Sequence, residues 1–402
     1  MNTICTTSKT PPPSSTWSSS CAPCSGSSRA GEPGSFVLRG VLRGATAHGS
    51  PHVKSQPPAF LLLRLSSLGD ILLLTPALRA LRAAHPSARI DVLLRRRYRE
   101  LLEGNPHVSN LIFFEEGGGL GAWRELERRL RGHYEVVADL HTGLRSWRLR
   151  RALGAPMTLA YRKRRLARWA LVRLKRDLYG SEFSVPLAYL QALEPLGARD
   201  DGLGLEWPGA LTRRGEFLDR AGLSRAPDIP PVALCPGASF ATKRWPLDRW
   251  QELATGLLRR GLDLWIFGGP EDRAAGRLLR DLDPARVRDF CGILSPALSG
   301  AGLSFCRLAV THDAGPAHMA AAVGRPVLAL FGSTVAQFGF RPFRVPHRLV
   351  QAEVSCRPCS HLGFSRCPRG HFRCMMDLAP ETVLRHFEDL TMEAGGNAGP
   401  KK

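Results

Sequence analysis

Residues 308–332 read LAVTHDAGPAHMAAAVGRPVLALFG. An apolar run over 308–311 stops at a cluster of turn-forming residues, an alanine-rich stretch follows, and after Gly324-Arg325-Pro326 comes a second apolar run, Val327–Phe331. Short apolar runs bounded by breakers predict buried strands, and the helix-length stretch between them predicts a parallel strand–helix–strand unit. Pro316 suits the first helical turn, where a missing N–H removes no bond. The pattern extends outward. Strands are predicted at Val232–Cys235, 262–267 and 287–290 upstream and at 347–354 downstream, with helices at 247–260 and 273–281. This alternation predicts a doubly wound α/β domain, its parallel sheet covered on both faces.

The same texture begins earlier in the chain. A strand is predicted at 60–65, a tight SSLGD turn at 66–70 and a helix at 71–84. Strands follow at 88–94, 108–114 and 135–140, with a helix at 123–131. Two α/β domains are therefore expected, 58–210 and 211–380, with a last helix and tail over 381–402. Residues 1–57 are rich in Ser, Pro, Thr and Gly and lack periodicity. Such a stretch cannot bury enough apolar surface to offset its ordering entropy, so a disordered tail is expected. Cys21 and Cys24 within it have no second pair nearby and read as unstructured thiols.

Composition excludes several classes. The chain has 402 residues, 44% of them apolar, which is enough for real cores. No apolar run approaches the roughly 18–20 residues that span a bilayer. The first residues lack the charged start and apolar stretch of a signal peptide, so a cytoplasmic protein is expected. Lys and Arg number 56 against 35 Asp and Glu, a formal net charge of +21, which calls for an anionic partner. Ten cysteines are too few for a disulfide framework.

In an open α/β sheet, ligands bind beyond the carboxyl ends of the strands. The first strand of the first domain ends in Ser66-Ser67-Leu68-Gly69-Asp70, placing Asp70 at a helix start. It suits an N-cap, and equally a carboxylate poised to take a proton. In the second domain the first strand ends in Pro236-Gly237-Ala238-Ser239, then Thr242-Lys243-Arg244-Trp245-Pro246. Ser239 and Thr242 offer hydroxyls, and Lys243 and Arg244 offer cations for a phosphate. The next strand ends in Gly268-Gly269-Pro270-Glu271-Asp272, where an acid could accept from a ribose diol. The fourth ends in Asp313-Ala314-Gly315, with His318 one helical turn on and an open helix N-terminus that suits an anion. Three such strand ends together point to a nucleotide diphosphate. A GxGxxA match at Gly117–Ala122, with Asp139 at the distance of a ribose-binding acid, is set aside. Glu115 and Glu116 directly before it would repel a pyrophosphate.

Arg64–Leu78 (RLSSLGDILLLTPAL), Pro236–Pro246 (PGASFATKRWP), Phe267–Asp272 (FGGPED) and Thr311–Gly332 stand in an order and spacing that resembles glycosyltransferase family 9, the ADP-heptose:lipopolysaccharide heptosyltransferases, and most the heptosyltransferase II branch. The resemblance covers about 60–390. It implies a GT-B fold of two Rossmann-like domains facing a cleft, acceptor on the first and nucleotide sugar on the second. It implies an inverting transfer of heptose from ADP-heptose to the lipopolysaccharide inner core, with no cofactor and no catalytic metal. Asp70 matches the family's base and Lys243 its donor-phosphate lysine, with a hydroxyl at Ser239 or Thr242. The acid falls at Glu271 or Asp272. Asp313, Gly315 and His318 match the D-x-G-x-x-H motif, and Ala314 departs from the usual Thr.

Two stretches stand outside this scheme. Residues 145–176 carry about a dozen Arg and Lys and no acid. Over 161–176, Leu166, Trp169, Ala170 and Leu174 share one helical face among cations. This predicts contact with an anionic membrane surface or a lipid-linked acceptor through Arg164, Arg165 and Arg168. A helix packed on its own domain is the plainer alternative. No nucleic-acid-binding signature accompanies the charge. Cys356, Cys359, Cys367 and Cys374 cluster near the C-terminus and read either as a structural zinc site or as reduced thiols. Cys235, Cys291 and Cys306 read as core residues. Peripheral contact with the cytoplasmic face of the inner membrane is expected. A non-catalytic nucleotide-sugar or anionic-lipid binding protein is the competing reading.

Overall fold

The computed structural model describes residues 57–114, 117 and 119–396. The expected tail over 1–57 lies, but for Pro57, outside these residues, as do Cys21 and Cys24, Glu115, Glu116 and Gly118 of the set-aside glycine loop, and the last six residues.

Two parallel sheets carry the fold. The first has five strands, β1 (Ala59–Leu63), β2 (Arg89–Arg95), β3 (Asn110–Phe114), β4 (Val136–Asp139) and β5 (Met157–Ala160), in the order β3-β2-β1-β4-β5. The second has six, β6 (Val232–Cys235), β7 (Leu264–Ile266), β8 (Val287–Asp289), β9 (Leu308–His312), β10 (Val327–Phe331) and β11 (His347–Gln351), in the order β11-β10-β9-β6-β7-β8. Every strand pair is parallel, with Phe60 beside Ile90 and Val136, and Cys235 beside Thr311. Both sheets reverse direction beside their first strand, β1 or β6. That is the switch point where open sheets take ligands.

The central strands are fully buried on both faces, which explains their unbroken Leu, Val and Ala content. The predicted helix over 71–84 is two helices, Leu68–Leu72 and Thr75–Ala84. Pro76 has no N–H to give residue 72, and the Thr75 hydroxyl donates to the Leu72 carbonyl instead, at 2.8 Å. The helix Pro380–Gly396 joins the second domain's core through Val383, Phe387 and Leu390. A β-carbon on Gly256 of the helix Leu247–Arg259 would meet Leu384 at 2.6 Å.

The two sheets share one apolar cluster, running from Phe60, Leu72 and Leu94 through Trp207 and Phe217 to Ala309 and Phe331. The basic stretch adds a second bridge. It forms the helix Arg165–Trp169, continues as one π-helical segment over Ala170–Leu174, and stops at Lys175, which turns left-handed with φ 57°. Ala167 and Leu171 pack on Val335 and Phe338 of the second domain. Lys175 Nζ donates to the carbonyls of Val172, Cys356 and Pro358 at 2.9, 2.9 and 2.7 Å.

Candidate active site

Asp70 stands at the third position of the helix Leu68–Leu72, not at its N-cap, which is Ser67. Its Oδ2 accepts from the Ser67 N–H at 3.1 Å and the Ser67 hydroxyl at 2.8 Å. Its Oδ1 lies 2.5 Å from the Arg64 guanidinium. Burial alone would raise this carboxyl. Arg64 and the two Ser67 donors outweigh burial and hold it below the usual carboxylate range. Arg64 is itself buried, donates to the Leu140 carbonyl at 2.6 Å and lies 5.4 Å from the centre of the Tyr189 ring. The sequence reading missed Arg64, although it opens the RLSSLGD stretch.

On the opposite wall, Lys243 closes the short turn Ala241–Lys243. Its Nζ donates to the Asp313 carboxylate at 2.7 Å and to the Asp313 carbonyl at 2.8 Å. The Thr334 hydroxyl donates to the same Asp313 oxygen at 2.6 Å. An ammonium has three N–H donors, so one is left for a phosphate. Ala314 is the N-cap of the helix Gly315–Ala322 and has no side-chain oxygen to occupy the helix's first N–H groups. Pro316 has no N–H and that of Ala317 donates to the Ala314 carbonyl at 3.1 Å, so the Gly315 N–H is the group this helix start offers an anion.

His318 lies between the two walls. It is buried, its Nδ1 has no hydrogen-bond partner, and the charges nearest it are Asp313, Asp70 and Lys243. Burial lowers its pKa, so it is neutral. A β-carbon on Gly69 would sit 2.5 Å from its Cδ2, and one on Gly315 would sit 3.2 Å from Leu68. Asp70 and the Lys243–Asp313 pair are thus brought to one place by contact between two helix starts.

The remaining candidates separate. Asp272 folds back onto the end of β6: it accepts from the Gly269 N–H at 3.0 Å, and a β-carbon on Gly237 would lie 2.1 Å from its Oδ2. Burial raises its carboxyl. Glu271 lies against Gly269 and is exposed. Ser239 and Arg244 are exposed, and Arg244 donates to the Ala238 carbonyl at 2.6 Å. Thr242 is buried, and its hydroxyl oxygen accepts from the Ser333 hydroxyl at 2.9 Å and the Phe364 N–H at 2.8 Å. It fastens the cysteine-bearing loop behind Lys243. Of the two hydroxyls only that of Ser239 is exposed.

His312 was also missed. Its Nε2 accepts from the Trp245 N–H at 2.8 Å, so its proton sits on Nδ1 and points to the Gly237 carbonyl at 3.3 Å. Burial pushes its pKa down to about 4. It is a neutral strut between the lysine loop and the glycine turn. Asp139, the acid of the set-aside dinucleotide motif, has both oxygens engaged by its own turn, by the N–H groups of His141 and Thr142 and by the Ser146 hydroxyl.

The three arginines of the basic stretch diverge. Arg164 is exposed but engaged, donating to the Tyr179 carbonyl at 2.7 Å and covering the Phe183 ring, beside a cavity of about 480 Å³. Arg165 is exposed, and Arg168 is half-buried. Ala170 does not share a face with Leu166, Trp169 and Leu174: it is buried and they are exposed, while Ala167 and Leu171 pack on the second domain.

All seven cysteines among the described residues are free thiols. No group of three or more His, Cys, Asp or Glu side chains among those residues is placed to hold a metal ion. The zinc reading of Cys356, Cys359, Cys367 and Cys374 is corrected accordingly. Cys359 directs its Sγ at the Cys356 carbonyl, 3.3 Å away, and Cys374 is buried in the second domain's core. Burial pushes both thiols up to about 11, so they stay protonated. Cys235, Cys291 and Cys306 are buried core thiols, as expected.

The family model described as glycosyltransferase family 9 (heptosyltransferase) matches residues 123–365. The chain belongs to glycosyltransferase family 9. Lipopolysaccharide heptosyltransferase 2 of Salmonella typhimurium is 28% identical over 346 residues, 82% of this chain and 97% of that protein. Lipopolysaccharide heptosyltransferase 1 of Pseudomonas aeruginosa is 30% identical over 342 residues, 81% of this chain and 92% of that one. Among solved structures, the ADP-heptose lipopolysaccharide heptosyltransferase II of E. coli superposes with a TM-score of 0.63 at 23% identity, covering 84% of this chain and 99% of that one. This family 9 glycosyltransferase therefore has the GT-B fold expected from its sequence, and the alternative of a non-catalytic binding protein falls away. No helix among its described residues is long and apolar enough to cross a membrane.

Proposed function

We propose that this glycosyltransferase moves heptose from ADP-heptose to the lipopolysaccharide inner core, with inversion, at the cytoplasmic face of the inner membrane. The observation that carries the proposal is the meeting of Asp70 with the Lys243–Asp313 pair across His318. Asp70 accepts the proton of an acceptor sugar hydroxyl, and that oxygen forms a bond to the anomeric carbon. The bond from that carbon to the diphosphate oxygen breaks, and ADP leaves with the electron pair. The free N–H of Lys243, the Gly315 N–H and the dipole of the helix Gly315–Ala322 take up the growing charge. A lysine and a helix N-terminus do this work, so no cofactor is required and treatment with chelator is expected to leave turnover unchanged.

The test is ADP release from ADP-heptose, with Kdo–lipid A and heptosyl–Kdo–lipid A supplied separately. Acceptor-dependent release is expected, and Asp70→Asn should lower it by about 10²–10⁴-fold, the usual worth of a general base. Release that survives Asp70→Asn would remove Asp70 as base. Exposed Leu166, Trp169 and Leu174 beside Arg165 and Arg173 support the membrane contact. Replacing Trp169 and Arg165 together should weaken binding to phosphatidylglycerol vesicles, and unchanged binding would reject that contact.

A further inference from the structure

Three adjacent strands of the first sheet, β1, β4 and β5, end in groups that the scheme above leaves partly unused. Beyond β1 stand Arg64 and Asp70, beyond β4 His141 and Thr142, beyond β5 Lys163. Asp139 fixes the β4 end. Its Oδ1 accepts the N–H groups of His141 at 3.1 Å and Thr142 at 2.7 Å, and its Oδ2 accepts the Ser146 hydroxyl at 3.1 Å. Thr142 is held at φ 49°, a left-handed conformation unfavourable for a β-branched residue, and such strain concentrates where a binding surface is shaped. This turn presents two buried polar atoms without a hydrogen-bond partner, His141 Nδ1 and Thr142 Oγ1.

Lys163 reaches the same turn. Its Nζ donates to the Thr142 carbonyl at 3.3 Å, leaving two N–H donors, and no carboxylate pairs with it among the described residues. Asp70 is already matched by Arg64, and Asp139 by its own turn. The charges facing Lys163 are Arg64 and Arg168 with the carboxylates Asp139 and Asp70, and those facing His141 are Arg64, Lys163 and Arg95 with Asp70. Cations therefore outnumber carboxylates next to the base, and both carboxylates, Asp70 and Asp139, are already engaged elsewhere.

We infer that Lys163 and the His141–Thr142 turn form a subsite for an oxyanion of the acceptor, a sugar carboxylate or a phosphate, that sets the acceptor hydroxyl against Asp70. Open ammonium donors between unpartnered polar atoms match an anion with several acceptor oxygens better than a neutral hydroxyl. Lys163 is a positioning residue here, since the proton goes to Asp70. The inference rests on the transferase reading above.

The test uses the full chain and de-O-acylated Kdo–lipid A, with two derivatives: its Kdo methyl ester and its dephosphorylated form. Binding is measured by calorimetry with ADP present. Lys163→Gln is expected to weaken binding of the parent acceptor about 10–100-fold, the usual worth of a hydrogen bond to a charged group. ADP affinity should not change, and Lys163→Arg should restore most of the loss. The derivative that binds wild type equally weakly, and is then indifferent to Lys163→Gln, identifies the anion. In turnover the loss should fall on KM rather than kcat. Unchanged binding by Lys163→Gln, or an equal loss for the parent and both derivatives, would overturn the subsite. Should Lys163→Gln not fold, wild type decides alone: both derivatives binding as tightly as the parent overturns it. The transferase reading fails separately, if wild type binds the acceptor yet releases no ADP from ADP-heptose.

Discussion

Asp70 is held by partners that oppose its protonation. Arg64 is the larger of them, and in Arg64→Met the carboxyl loses it while staying buried. Its pKa then rises, because the adjacent opposite charge that held it down is gone. A base must be ionised to act, so the acid limb of the kcat/KM profile is expected to move to higher pH. A pH–rate profile checks this, and an unmoved limb would mean that Arg64 does not set the base. Removing one partner of a buried pair also costs about 3–5 kcal/mol of stability, so Tm should fall with it. The residues at this scale were unevenly legible. Asp70 and Lys243 stand out because a short motif fixes their place at a strand end. Arg64 and His312 do not, because an arginine or histidine is buried only when distant groups receive it. Arg64 needs the Leu140 carbonyl and the Tyr189 ring, and His312 needs Gly237 and Trp245.

The helix starts Leu68–Leu72 and Gly315–Ala322 meet through a glycine, and this fixes how far apart the base and the phosphate lysine can sit. Gly69→Ala would place a β-carbon 2.5 Å from His318 Cδ2, closer than such atoms approach, so the buried His318 ring or the helix starts themselves must shift. A displacement of even about 1 Å in an active site can cost around 100-fold in rate. We expect Gly69→Ala to lower kcat/KM strongly, and His318→Ala combined with it to lose less than the two single effects multiplied. Rates of the four variants in a double-mutant cycle check this. Additive losses would separate the two residues. Elements were read best where burial and period agree. Val232–Cys235 and Val327–Phe331 are apolar throughout and match to the residue. The strand Met157–Ala160 went unread because it is a short, partly exposed edge with no apolar run, pinned only by pairing with β4. The face of the basic helix was read wrongly at Ala170, which is buried; the inward face is set by Ala167 and Leu171, whose partners Val335 and Phe338 lie far along the chain.

Among the described residues the largest apolar cluster joins the two sheets, and smaller clusters accompany it. Cooperative units follow buried contacts, so the described chain is expected to melt in a single transition, with calorimetric and van't Hoff enthalpies equal. Two resolved transitions would show that the halves unfold separately. Its acid stability follows from histidines that are buried or half-buried. His141, His312 and His361 are each pushed down to about 4, by burial first and by nearby cations in addition. In the unfolded chain they titrate near 6.5, so between about pH 6.5 and 4 unfolding takes up protons. Stability is therefore full above pH 6.5 and drains as the pH falls through that window. A Tm series from pH 7 to pH 4 reads the effect directly.

Lys175 bears on how such enzymes can be recombined. Its ammonium fills three carbonyls, one from its own segment and two from the cysteine-bearing loop of the other half. A hybrid taking its acceptor half from a relative without a lysine there would take the ammonium from the Cys356 and Pro358 carbonyls at the seam, leaving Cys356 only the Cys359 thiol. That loop also fastens Thr242 behind the donor lysine. Donor and acceptor preferences are thus not modules to be exchanged at the boundary between sheets. Any working graft must carry Lys175 and the loop it holds as one inherited piece.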